Sequence, residues 1–287
     1  MAKSKNILIT GASTGIGYDL AKVFVGNGYT VFGSVRKQKD ADRLLEDLGE
    51  SFRPLLFDVT DHEAIDQAAA QLEKEIGDQG LAGLINNAGI ALGGPFVDLK
   101  IDEYRYQFEV NVFGLIKVTQ AFLPLLGAKE TPSFDPGRIV QISSIAGKHG
   151  MPFMSPYSGS KHALEGITES LRKELLFYGI DVILIEPGPI KTPIWEKGAS
   201  EAVEERFKKS VFYPALQTFQ KRFVAKAVKD AWTSERAARI IFNAFEASRP
   251  KTRYLIVPGK FKNWTLPRLM PTRTVDKFLG KALGLMK

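Results

Sequence analysis

The sequence predicts an α/β fold: a doubly wound parallel sheet of about seven strands in a single domain, extended by a helical insertion. Three observations lead to it. Short apolar runs alternate with amphipathic stretches almost from end to end, as β-α-β units require. The apolar runs are continuous rather than alternating in polarity, as in strands buried on both faces. The first run also passes through a glycine-rich turn straight into the first helical pattern.

In chain order, a strand at 6–10 leads to a helix at 15–28, and a strand at 30–35 to a helix at 40–48. Strand 53–57 is followed by helix 61–76, strand 81–86 by a long helical pattern at 101–127, and strand 137–143 by helix 156–178. Ser155 and Pro156 read as the start of that helix, serine as N-cap and proline at the first helical position. Strand 180–186 precedes the one break in rhythm, an insertion at 190–233, before helix 234–248 and strand 253–257. The insertion carries Trp195, Phe207, Phe212, Tyr213, Phe219 and Phe223 among many charges. Open α/β sheets place ligands at the carboxyl ends of their strands, so it reads as a substrate lid, with a packing appendage as the alternative. Residues 1–259 are expected to form the domain and 260–287 a basic amphipathic tail.

Composition narrows the chemistry. The chain of 287 residues contains no cysteine, which excludes thiol nucleophiles, thiolate metal sites and disulfides; no metal site is expected. A chain this long buries enough core to need no staple. The apolar run 7–9 is far too short for a signal-peptide core, and no stretch reads as the ~18 apolar residues of a membrane span. The expected location is cytoplasmic, with membrane association through the tail as a further possibility. From Arg249 onward ten basic residues face one acid, Asp276, so the net charge of +7 is concentrated there and the body is close to neutral. A neutral body argues against nucleic acid. Within the tail, Val275, Phe278, Leu279, Ala282, Leu283 and Met286 recur at helical spacing beside Lys277 and Lys281, the pattern of a membrane-surface helix or of a closing helix packed on protein.

The turn after the first strand is Thr10-Gly11-Ala12-Ser13-Thr14-Gly15-Ile16-Gly17. Its glycines let backbone approach a pyrophosphate, whose charge is met by free N–H groups where the helix begins. The candidate cradle is Gly11, Ser13, Thr14, Gly15, Ile16 and Gly17, and the fold it belongs to is Rossmann-type. NAD sites carry an acid about 20 residues further on, for the ribose 2′-hydroxyl. Residues 31–39 contain no acid, and Arg36 follows the second strand directly, with Lys37 and Lys39 nearby. A guanidinium there suits a 2′-phosphate, so the expected cofactor is NADP(H).

Tyr157 and Lys161 lie four apart and so share a helix face. Tyr18 and Lys22 repeat the spacing, but only Tyr157 has a serine, Ser144, thirteen residues upstream at the end of a strand. A free phenol titrates near ~10, too high for work at neutral pH. An adjacent Lys161 ammonium is expected to lower it, while a Ser144 hydroxyl orients the substrate oxygen. Histidine is not required: His62 falls in a surface turn, and His149 and His162 read as packing or solvated.

Together these residues resemble the short-chain dehydrogenase/reductase family over nearly the whole chain. The resemblance gives Asn86-Asn87-Ala88-Gly89 a role in stabilising the sheet, with Asn87, Ala88 and Gly89 lining the nicotinamide ribose. It places Asp58 at adenine, counts Val59 among the cofactor-binding residues with Tyr157 and Lys161, and selects Ser144 over Ser143. It also implies that Asn111 holds a water linking Lys161 to solvent, completing a tetrad of Asn111, Ser144, Tyr157 and Lys161. Val35 stands where NAD-selecting members keep an acid. Pro187, Gly188, Ile190 and Thr192 belong to the turn that closes over the nicotinamide. The stretch from Pro156 to Gly166, the insertion and the basic tail resemble the 17β-hydroxysteroid and retinol dehydrogenase-like branch. The implied activity is reversible NADP(H)-dependent reduction of a lipophilic ketone or aldehyde by a homodimer or homotetramer. Reduction of a carrier-bound acyl group and non-catalytic NADP(H) sensing are the alternatives.

Overall fold

The computed structural model describes residues 4–194 and 205–286. Seven parallel strands form one sheet: β1 (Asn6–Ile9), β2 (Thr30–Val35), β3 (Phe52–Leu56), β4 (Gly83–Asn86), β5 (Arg138–Ile142), β6 (Asp181–Pro187) and β7 (Arg253–Ile256). Their spatial order is β3-β2-β1-β4-β5-β6-β7. Each lies within a few residues of its sequence expectation. Ile7 stands opposite both Val31 of β2 and Gly83 of β4. The chain therefore builds outward from β1 to one edge, then crosses back to build the other half. At that crossover the connections diverge and leave a crevice at the carboxyl ends of the strands.

The apolar runs bury both faces of the sheet. On one face α1 (Gly15–Gly26), α2 (Gln38–Leu48) and α7 (Ser234–Glu246) pack around Phe24, Tyr29, Ile241 and Phe245. On the other lie α3 (His62–Ile76), α4 (Ile101–Phe108), α5 (Gly114–Phe122) and α6 (Ser155–Glu174). There Leu72, Val118, Phe122 and Leu126 form a second core. Gly33 is required in β2, because a Cβ there would sit 2.4 Å from the Phe52 ring.

Three local expectations need correction. Helix 101–127 is not regular: a π turn at Glu109–Phe113 separates α4 from α5. Taken whole, Ile101–Leu126 is long and apolar enough to span a membrane, but more than half of its apolar window is buried in the protein, as in a core helix. Ser155 is not the N-cap of α6 but its first residue, Met154 holding the cap position; the Ser155 hydroxyl meets that of Tyr104 at 2.6 Å.

The insertion leaves and re-enters the body through a two-residue parallel pairing of Ile190–Lys191 with Trp232–Thr233. Its Phe207 and Phe219 are buried; Trp195 lies outside the described residues. In the tail, α8 (Thr272–Leu283) packs on the insertion helix Tyr213–Thr218. Val275, Leu279, Ala282 and Leu283 are covered at least in part, while Phe278, Leu285 and Met286 stay exposed. Trp264 is buried, edge-on to His149 with ring centres 5.1 Å apart.

Candidate active site

The crevice holds a cavity of about 410 Å³ whose wall includes Gly11, Ser13, Thr14, Gly15 and Ile16. Gly11 and Gly15 take left-handed backbone (φ 66° and 57°), which only glycine adopts without strain. Gly17 does not face the cavity. A Cβ at that position would lie 2.2 Å from the Gly11 carbonyl oxygen and 2.5 Å from Asn87 Nδ2, so it permits the loop to fold against its neighbours. Thr14 gives the first turn of α1 no side-chain cap, and that turn contains no acid. Its amides are thus left for an external anion, and the cradle fits a dinucleotide pyrophosphate.

Neighbouring strands brace the loop. Ser34 Oγ accepts from Gly11 N at 3.0 Å. Asn87 Nδ2 donates to the carbonyls of Thr10 and Gly11 at 2.9 and 3.1 Å, and Thr10 Oγ1 accepts from the amides of Asn87 and Ala88. Asn86 instead points into the core, donating to Thr119 Oγ1 at 2.9 Å.

At the far end of this half, Arg36 Nη1 lies 3.5 Å from Asp58 Oδ2. The two residues read separately from sequence thus meet, in a pair exposed enough to contribute little stability. Val35 is buried beside them. Asp58, Val59, Ala88 and Gly89 line the same cavity, as do Pro187, Gly188, Ile190 and Thr192 from the turn after β6.

Ser144, Tyr157 and Lys161 all face this cavity. Ser144 sits just past the end of β5, its Oγ accepting from Ala146 N at 3.1 Å. The first turn of α6 supplies Tyr157, and the next supplies Lys161, whose buried Nζ donates to the Ile142 carbonyl at 2.8 Å. One expectation is overturned here. The Tyr157 phenol is not lowered but raised above its ordinary value, because burial disfavours the phenolate; the hydrogen bond with Ser144 opposes this only in part. Lys161 spends its contact on a backbone carbonyl and stands 5.9 Å from the Tyr157 ring centre. Burial pushes the Lys161 ammonium down to about 8, against an opposing pull from Glu165.

Asn111 is placed by the π turn and is buried. Its side chain accepts from Ile90 N at 2.9 Å and donates to Ile90 O at 3.0 Å and to Ser160 Oγ at 3.1 Å. Ser160 in turn donates to the Tyr157 carbonyl at 2.8 Å. Asn111 therefore connects the loop after β4 to the backbone of the tyrosine turn, and it does not line the cavity. π turns concentrate at functional sites.

Several features escaped sequence reasoning. Arg206, from the insertion, forms a two-pronged ion pair with Glu103 at the start of α4, and both line the cavity. The pair holds the Glu103 carboxyl below its ordinary range. Phe153, between Ser144 and Tyr157, has a left-handed backbone (φ 64°), a strained state for an aromatic residue. Its carbonyl accepts from Gly94 N at 2.8 Å, and its ring meets Phe212 and Phe219 of the insertion. The histidines lie apart from this chemistry: His62 faces Glu109 at the surface, and His162 Nδ1 contacts Ser158 O at 2.8 Å.

A glycine cradle at a crossover point, joined to a serine, a tyrosine and a lysine in one cleft, defines a dinucleotide-binding oxidoreductase. The chain belongs to the short chain dehydrogenase family, whose model matches residues 5–202. It is 41% identical over 276 residues to the NADPH-dependent 3-dehydrocapnine reductase of Ornithobacterium rhinotracheale, covering 96% of each chain. Over 294 residues it is 33% identical to short-chain dehydrogenase/reductase family 9C member 7 of Mus musculus, covering 97% of this chain and 90% of that one. The crystal structure of a short-chain dehydrogenase from Streptomyces avermitilis superposes with a TM-score of 0.75 at 28% identity, covering 98% of this chain and 96% of that one.

Proposed function

We propose that the protein is an NADPH-dependent reductase that reversibly converts a lipophilic ketone or aldehyde to its alcohol, with Tyr157 as proton donor. The observation that carries this reading is the meeting of Ser144, Tyr157 and Lys161 in the cleft that the glycine loop also lines. When bound, the cofactor supplies the hydride. Ser144 orients the carbonyl oxygen and stabilises the charge that grows on it. The raised phenol of Tyr157 stays protonated at neutral pH and gives its proton to that oxygen. Lys161 supplies positive charge beneath, and Asn111 fixes the backbone that carries the tyrosine.

The preference for NADPH is supported by Arg36 at the ribose end, with Val35 in place of an acid, and by the NADPH-dependence of the 41% identical relative. The substrate end combines apolar Leu92, Val110 and Phe207 with the Glu103–Arg206 pair. An amphiphilic carbonyl compound, with an apolar body and a polar end, matches that wall best. Since α8 is docked on the insertion, the tail serves to close the molecule rather than to anchor it in a bilayer. Assembly as a homodimer or homotetramer is part of the same reading.

The test is NADPH oxidation across 3-dehydrocapnine, steroids, retinoids, aliphatic aldehydes and quinones. The expected result is turnover of an amphiphilic member of the panel, faster with NADPH than with NADH. Tight NADPH binding with no oxidation on any of them would replace the reductase with a cofactor sensor.

A further inference from the structure

Behind the reacting groups lies an ionic cluster, built around two buried carboxylates, that the chemistry above does not use. Glu165 is 3% exposed and sits on α6 one helical turn beyond Lys161. Its carboxylate accepts from Ser143 Oγ at 2.6 Å, faces Lys148 Nζ at 3.1 Å and pairs with Arg253 of β7. The same Arg253 nitrogen, Nη1, also pairs with buried Glu186 of β6, while Nη2 pairs with Glu169 on α6. Packing around the carboxylate is tight: a Cβ on Gly147 would lie 2.9 Å from both Glu165 Cγ and Ser143 Oγ.

The cluster touches every segment that supplies a reacting group. Ser143 immediately precedes Ser144 at the end of β5. Glu186 precedes Pro187, whose carbonyl lies 3.5 Å from Ser144 Oγ. Glu165 shares a face of α6 with Lys161. Buried carboxylates are costly unless paired, so such a cluster against the cleft calls for a function. We propose that Glu165 is a positioning residue of the reaction. Its carboxylate, clamped by Ser143, Lys148 and Arg253, fixes the strand end that carries Ser144 and stands one turn from Lys161 on the same face of α6.

This rests on the catalytic reading of Lys161. Burial drives that lysine toward neutrality, and Glu165 is the group that opposes it. The charges facing Glu165 are Arg253 and Lys148 on the positive side, Glu186 and Glu169 on the negative. Three acids against two bases leave one negative charge in excess beside the lysine. A reaction that needs the ammonium is lost as pH rises through the lysine's midpoint. Removing the Glu165 charge lowers that midpoint; removing the Lys148 charge unmasks Glu165 and raises it.

The experiment follows the Lys161 side chain in NADP-bound, lysine-labelled protein by NMR, with Lys161→Met for assignment, beside the pH profile of kcat/KM. Glu165→Gln is expected to move the lysine midpoint and the alkaline limb downward by roughly one pH unit. Lys148→Met, on a partly exposed side chain, is expected to move both upward by about a few tenths of a unit and remains informative if Glu165→Gln does not fold. Cofactor KM should change less than about twofold in either variant. Midpoints that stay fixed, or that shift in the same direction in both variants, overturn the proposal. A midpoint that moves while the rate limb does not supports the hold of Glu165 on the lysine and removes Lys161 from the reaction.

Discussion

Two helices of this molecule carry in their first turn a tyrosine followed four residues later by a lysine, and they do opposite things with it. In α1, Tyr18 turns outward to a surface hydrogen bond with Asp47 and lies partly under Arg43. In α6, Tyr157 turns into the crevice, meets Ser144 and stands over a buried lysine. The spacing is the same, and both phenols are raised above their ordinary value, but the causes differ. For Tyr18 the hydrogen bond to an acid comes first; for Tyr157 desolvation does. Only the second pair stands at the crevice edge with a hydroxyl opposite, which is why the proposed proton donor is Tyr157 and not Tyr18.

The comparison can be broken most severely at the tyrosines. Tyr157→Phe is expected to lower kcat by about 10³-fold while NADPH still binds, as followed by cofactor fluorescence. Tyr18→Phe should leave kcat within about twofold and cost at most about 1 kcal/mol in urea unfolding. Substantial activity in the first variant, or its loss in the second, would reverse the assignment. Within α1 itself, Gly17→Ala forces a Cβ into the Gly11 carbonyl. Strain of this kind costs about 1–3 kcal/mol, and NADPH affinity should drop at least roughly tenfold with the loop displaced. Gly26→Ala, at the other end of the helix, meets no atom within 4 Å and serves as the neutral partner in the same titration.

A smaller effect is expected at Arg36. Arg36→Ala should raise the KM for NADPH by about tenfold, the loss of one charge-assisted contact, and leave that for NADH within about twofold. The Arg36–Asp58 pair is too exposed to matter for folding, so melting temperature should hold. Equal losses with both cofactors would remove Arg36 from 2′-phosphate recognition.

Much of the frame was legible because its signals are local. Continuous apolar runs located β1 to β7, and Thr10 to Gly17 announced a strand, a tight turn and a helix within eight residues. What remained hidden depends on partners far apart in the chain. Glu103 and Arg206 are separated by 103 residues, Glu165 and Arg253 by 88, and no periodicity links them. Phe153 has a backbone that its residue type disfavours, set by contacts with Gly94 and the insertion. The state of Tyr157 went wrong for the same reason: spacing placed Lys161 on the right face, whereas burial and the Ile142 carbonyl decide what the lysine does there.

The order of the strands has a consequence for how the enzyme comes into being. β1 to β4 can pair as soon as they leave the ribosome, since each neighbour is already made. The sheet edge beside β6 stays open until residue 253 has been added, leaving Glu186 and Glu165 without their shared guanidinium until then. The β6–β7 register spans 69 residues, fewer than the 76 between Ile7 of β1 and Gly83 of β4, so β7 is late by its place in the chain and not by its reach. A nascent chain should therefore hold the glycine loop and its flanking strands well before it gains the guanidinium that joins Glu165 to Glu186.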